Sequence, residues 1–147
     1  FTTGQQLTFF FSFAGDVTLI LIPGICNSSE SIYIRTFVHH AQRKGYRCAV
    51  LNHLGCMKSI KLTSHRIFGY GCTKDLNAMI NSTLETYPHT RAVVVGFSMG
   101  ANMVIKYLGE KGIHVPRNIL GGISICQGYD ALKYNQFHES GSVQPCK

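Results

Sequence analysis

Ser98 stands in the pentapeptide Gly96-Phe97-Ser98-Met99-Gly100. Before it comes an unbroken apolar run, Ala92 to Val95; after it, apolar residues recur at Met103, Val104, Tyr107 and Leu108. The run is too short and too rich in valine for a buried helix and reads as a buried parallel strand, while the later spacing is helical. Strand, Gly-x-Ser-x-Gly and helix, in that order, form a nucleophile elbow. Such a turn holds the serine in a strained conformation and lifts its hydroxyl out of the sheet. Gly96 and Gly100, without Cβ atoms, let neighbouring backbone pass close. The helix aims its N-terminal N–H groups at the place where an oxyanion would form. The chemistry this suits is attack by Ser98 on an ester or amide carbonyl.

That attack needs donors for the oxyanion, a base for the serine proton and an acid to orient the base. Met99, directly after the serine, offers one backbone N–H. The second is expected from the loop after an earlier strand, where Pro23-Gly24-Ile25 places Ile25 as the donor. The order along the chain should be Ser, then Asp or Glu, then His. Beyond Ser98 the chain holds Asp130, Glu110, Glu139, His114 and His138. His114 and His138 are poor candidates for the base, one in a polar connection and one in the trailing segment. Asp130 sits just past an expected strand end, a place where catalytic acids occur. His39, His40, His53, His65 and His89 precede the serine and read as surface or loop residues, His53 being the least settled because it lies near a strand end.

The elements that must position these groups alternate. Gln6 to Phe13 and Val17 to Ile22 read as strands separated by Gly15-Asp16. A helix begins near Ser31, turns Ile32, Phe37, Val38 and Ala41 inward, and stops at Lys44-Gly45. Tyr46 to Leu51 is a third strand, and Asn52 to Ser64 a long loop. Cys72 to Tyr87 is a helix with Leu76, Met79, Ile80 and Leu84 on one stripe, ended by Pro88. The elbow unit follows, then a polar connection from Gly109 to Asn118 and a last strand, Ile119 to Ile125. Alternating β and α with apolar strands predicts an α/β fold, a mostly parallel sheet with helices on both faces. The elbow strand, Ala92 to Val95, should lie in the middle of the sheet and be among the most buried segments.

The 147 residues, 45% hydrophobic and 14% charged, suit one domain with a substantial core. The formal charge of +7 is scattered, without a basic run or nucleic-acid motif, so no nucleic-acid partner is expected. It suits a solvated basic surface or attraction to an anionic membrane face. No apolar run reaches the roughly 18 to 20 residues that span a bilayer. The chain opens on Phe1 rather than Met, which points to a missing beginning, and no signal peptide is visible. Six cysteines form no Cys-x-x-Cys pair, so no metal site is expected; Cys48 and Cys126 read as small buried hydrophobes in strands. Asn27-Ser28-Ser29 and Asn81-Ser82-Thr83 are glycosylation sequons that matter only in a secretory lumen. Neither a Gly-x-Gly-x-x-Gly after a strand nor a Walker loop occurs, which argues against a nucleotide cofactor.

Val17 to Asn27 (VTLILIPGICN), Tyr33 to Phe37 (YIRTF), Gly45 to Gly55 (GYRCAVLNHLG), Val93 to Gly100 and Cys126 to Leu132 (CQGYDAL) together resemble the YheT-like α/β-hydrolases. The likeness covers residues 16–132 of a partial domain spanning 1–147, with 133–147 as an irregular tail. It implies the N-terminal part of an α/β-hydrolase: a membrane-bound serine esterase of the monoacylglycerol lipase type, working without a cofactor on acylglycerols or other lipid esters. It also implies a single N-terminal transmembrane anchor that this chain lacks. The family supplies its acid and histidine from the second half of the fold, which implies a loop or capping role for Asp130 and places the triad acid and histidine beyond this chain. Where the family usually carries a second glycine, Gly100 is followed by Ala101. The rival reading is a non-catalytic lipid- or steroid-binding member, or a truncated product, that keeps the elbow and lacks the triad.

Overall fold

The computed structural model describes residues 15–57 and 71–128, together with the backbone of Gln6–Phe10. Strands β1 (Gln6–Phe10), β2 (Val17–Ile22), β3 (Arg47–Asn52), β4 (Arg91–Phe97) and β5 (Ile119–Ile125) form one sheet in the order β1-β3-β2-β4-β5. β1 runs antiparallel to β3, and every other pairing is parallel. Helices α1 (Ile32–Arg43), α2 (Lys74–Thr86) and α3 (Met99–Lys111) fill the crossovers, with a short 3-10 turn, Gly112–His114, after α3. No described helix is long and apolar enough to cross a membrane.

Residues alternate across a strand, so each apolar strand feeds two cores. Leu21, Cys48, Val50 and Val95 meet Ile34, Val38 and Ala41 of α1 on one face. Ile20, Ile22, Ala49, Leu51, Ala92 and Val94 meet α2, through Leu76, Met79 and Ile80, and α3, through Met103, Val104 and Tyr107, on the other. Helices on both faces of a mostly parallel sheet are thus present. β4 is internal, between β2 and β5, and Ala92, Val94, Val95 and Gly96 are buried. The strand at the middle is β2.

Several local expectations are corrected. Ile32 is not inward: it is 85% exposed. As the first residue of α1 it stands outside the buried stripe, which runs Ile34, Val38, Ala41 at spacings of one helical turn. Phe37 is half-buried. Cys48 is the buried thiol expected, and burial pushes its pKa up to about 11. Cys126 lies beyond the end of β5, exposed, at a positive φ of 56°. The expected strand residues 11–13, the loop residues 58–64, His65, Asp130, His138, Glu139 and the tail 133–147 lie outside the described residues.

Candidate active site

The turn at Ser98 is built from close backbone contact. Ser98 links β4 to α3 with φ 53° and ψ −115°, a region that costs a non-glycine residue about 1–3 kcal/mol. Its backbone is held on both sides: the N–H donates to Ile125 O at 2.8 Å, and the carbonyl accepts from Ala101 N at 2.9 Å and Asn102 N at 3.2 Å. The hydroxyl caps nothing in α3, and the residue is exposed between buried neighbours, Gly96 and Met99 among them. The side chain is therefore presented rather than packed.

The two glycines explain how the turn fits so tightly. A Cβ at Gly96 would lie 2.3 Å from Gly100 O, and one at Gly100 would lie 2.2 Å from Ile22 O and 2.7 Å from Pro23 O. Gly96 lets α3 settle on its own strand. Gly100 lets α3 settle on the end of β2, where the Pro23-Gly24-Ile25 loop begins.

That loop comes to the serine. A Cβ at Gly24 would be 3.4 Å from both Phe97 O and Ser98 Cβ. Gly24, Ile25, Asn27, Tyr33, Phe97, Ser98, Ile125 and Cys126 line one cavity of about 250 Å³ at the C-terminal ends of the strands. Ile25 and Ser98 are thus brought together, and Ile25 is 51% exposed. Met99 is the first residue of α3, so its N–H is one of those with no carbonyl inside the helix. The Met99 side chain is buried in the core beneath.

The loop is pinned by groups that the sequence reading passed over. Gly24 N–H donates to Tyr33 Oη at 3.0 Å, and Asn27 Nδ2 donates to Ile25 O at 2.8 Å. Ser29 N–H donates to Asn52 Oδ1 at 2.7 Å, and His53 Nε2 lies 2.9 Å from Pro23 O. Of the two readings of His53, surface or loop, the loop holds, since it follows the end of β3, and the surface is corrected: it is 3% exposed. A carbonyl only accepts, so Nε2 carries the proton. The signal for His53 and Asn52 was their place at the C-terminal end of a strand beside the expected oxyanion loop, but contact with that loop spans some thirty residues of sequence, as between His53 and Pro23.

Burial lowers the His53 pKa from its ordinary 6.5, against smaller opposing effects of the Pro23 carbonyl and Asp75. The unfolded chain therefore binds this proton more tightly than the folded one. The stability contribution is whole above 6.5, declines as pH falls through that value, and is fully lost only below the lowered folded pKa. His53→Gln keeps an N–H donor for Pro23 O and cannot titrate. Melting temperatures between about pH 7 and pH 5 should fall less steeply in this variant than in the native chain. Equal slopes would assign the titration elsewhere.

The other candidates do not reach the cavity. His114 is exposed in the 3-10 turn beyond the far end of α3, and the 13 residues of that helix alone span about 20 Å at 1.5 Å per residue. Glu110, on the last turn, accepts from Thr73 Oγ1 at 2.7 Å and pairs with Lys106, whose ammonium holds its pKa down. His39 and His40 are exposed on α1. His89 borders a separate cavity with Asp16 and Arg47 at the opposite ends of the strands. Among the described residues, no histidine lines the Ser98 cavity.

An exposed serine at positive φ between β4 and α3, on a mostly parallel sheet, defines the class. The family profile described as the alpha/beta hydrolase fold matches residues 17–142, and the chain belongs to that family. It is 56% identical over 118 residues to a Drosophila melanogaster protein called abhydrolase domain-containing protein 2, covering 80% of this chain and 30% of that one. The identity is also 56% over 118 residues to the Homo sapiens protein called monoacylglycerol lipase ABHD2, covering 80% of this chain and 28% of that one. The chain thus spans less than a third of the length of these relatives. Among solved structures, an esterase of Pyrococcus furiosus, Pf2001, superposes with a TM-score of 0.65 at 21% identity, over 88% of this chain and 47% of that one. That likeness supports the fold alone.

Proposed function

We propose that this chain is the nucleophile-bearing part of a serine ester hydrolase acting on acylglycerols. The observation that carries the reading is the exposed Ser98 at φ 53°, facing the Pro23-Gly24-Ile25 loop across a shared cavity. Ser98 Oγ attacks the ester carbonyl carbon while its proton passes to an imidazole supplied outside the described residues. The carbonyl oxygen, now negative, takes hydrogen bonds from the Ile25 and Met99 backbone N–H groups. The alcohol leaves with the proton; water then enters by the same steps in reverse and releases the fatty acid. The substrate class is supported by the relatives named as monoacylglycerol lipases. The exposed Ile25 and the apolar Phe97 and Ile125 on the cavity wall suit an acyl chain. No metal or organic cofactor enters this scheme. Attachment to a membrane by an N-terminal anchor is part of the proposal and rests on the family resemblance.

The test is fatty-acid release from a monoacylglycerol by the full-length protein carrying this segment. The 147-residue chain purified alone is expected to show little turnover of a chromogenic ester, because loss of the triad leaves only about 10³- to 10⁴-fold acceleration over water. Robust turnover by the isolated chain would place the base within it. A full-length protein that binds monoacylglycerol without hydrolysing it would favour the non-catalytic lipid-binding alternative.

A further inference from the structure

We propose that the Tyr33 hydroxyl is a third hydrogen-bond donor to the oxyanion, beside the backbone N–H groups of Ile25 and Met99; the assignment rests on the hydrolase reading above. Tyr33 stands on the first turn of α1, and its side chain lines the same cavity as Ser98. Its ring meets Phe97, the residue before the nucleophile, edge-on at 5.3 Å. Phe37 packs edge-on against the same Phe97 ring at 5.7 Å, so the ring that Tyr33 rests on is itself held from a second side.

The hydrogen count of the phenol points the same way. Tyr33 Oη accepts from Gly24 N–H at 3.0 Å. A phenol has one proton and accepts through its lone pairs, so this bond leaves the proton uncommitted. Among the described residues Tyr33 makes no second hydrogen bond. Accepting from an N–H also polarises the O–H and makes it a better donor. The Gly24 link fixes where that donor sits, because Gly24 packs against Ser98, with 3.4 Å from a Cβ there to Ser98 Cβ. The amide on the same wall, Asn27, is turned to its own loop: Nδ2 donates to Ile25 O and Oδ1 accepts from Ser31 Oγ at 3.0 Å. In the reaction no proton leaves Tyr33. Its O–H turns to the carbonyl oxygen as negative charge develops there and keeps its proton throughout.

The experiment uses the full-length protein, with Ser98→Ala as control. Tyr33→Phe should lower kcat for a chromogenic ester about 10- to 10²-fold with KM unchanged, and weaken a boronic-acid mimic of the tetrahedral state by a similar factor. A purely positioning role, in which Tyr33 serves only as acceptor for Gly24 N–H, is separated by 3-fluorotyrosine at position 33. That hydroxyl is a stronger donor and a weaker acceptor, and near pH 6 it stays protonated. Donation to the oxyanion predicts kcat retained or raised; positioning alone predicts a fall. The fluorinated protein also decides the matter should the phenylalanine variant fail to fold. An unchanged kcat in Tyr33→Phe, or a lower kcat with 3-fluorotyrosine, overturns the assignment. Turnover that persists in Ser98→Ala overturns the hydrolase reading and this inference together.

Discussion

Ser98→Ala is expected to reduce hydrolysis of a monoacylglycerol by the full-length protein about 10⁶-fold, the scale seen when the nucleophile of a serine hydrolase is removed. The loss is large because, on the proposed mechanism, the base then has no serine proton to take, and the oxyanion donors and substrate binding are left to assist only the slow direct attack of water. Fold stability should scarcely change. Alanine at this position takes on the same φ of 53°, and the hydroxyl caps nothing in α3, so deleting it removes no described structural bond. Reaction with a fluorophosphonate, which phosphonylates an activated serine, should disappear in parallel. A variant that keeps its melting temperature and also keeps its rate would show that Ser98 is not the nucleophile.

Gly100→Ala should be among the most damaging small substitutions in the described fold. Its Cβ would lie 2.2 Å from Ile22 O and 2.7 Å from both Ile22 C and Pro23 O. These are backbone atoms of a buried strand end, and they cannot swing aside as a flexible side chain could. Either α3 lifts from the sheet, opening the core around Met103 and Val104, or the Pro23 loop moves away from Ser98. Overpacking of a core typically costs 1–3 kcal/mol; a clash with backbone on this scale should cost about 3 kcal/mol or more. Activity should fall even where the variant stays folded, because the displaced loop carries Ile25. Gly109→Ala in the same helix is the control. Nothing lies within 4 Å of its Cβ, so it should stabilise the protein by about 0.4–1 kcal/mol. Urea midpoints of the two variants measure the contrast, and equal shifts would refute the packing argument.

The parts of the site that lie within one short stretch were legible in the sequence. Ala92 to Leu108 carries strand, turn and helix periodicity together, and its glycines are contiguous with the chemistry they permit. Helices on both faces of the sheet were legible from the alternation of apolar strands with helices and from helical stripes such as Leu76, Met79 and Ile80. The inward register of α1 was legible only in part: Val38 and Ala41 are buried as read, but the sequence reading puts Ile32, an equally apolar residue at the helix start, on the stripe in place of Ile34. Tyr33, Asn52 and His53 were not legible as loop-holding residues. Each owes its role to a partner brought near by the sheet: Tyr33 to Gly24, Asn52 to Ser29, His53 to Pro23. A histidine after a strand carries no mark of burial when the residue that covers it is encoded elsewhere.

The contact of Gly100 with Ile22 and Pro23 also has a kinetic meaning. Neither half of the site can be completed by local folding. The elbow can turn within Val95 to Ala101, but the loop opposite it is secured only when β2 has paired with β4, setting Ile22 against Gly96. Chain closure over such a separation is entropically costly and makes parallel pairing slow. The strained serine therefore has its full support only in states where the central strands are already zipped. In a refolding experiment, protection of the backbone amides in β2 and β4 should precede or accompany recovery of phosphonate reactivity at Ser98, and never lag behind it.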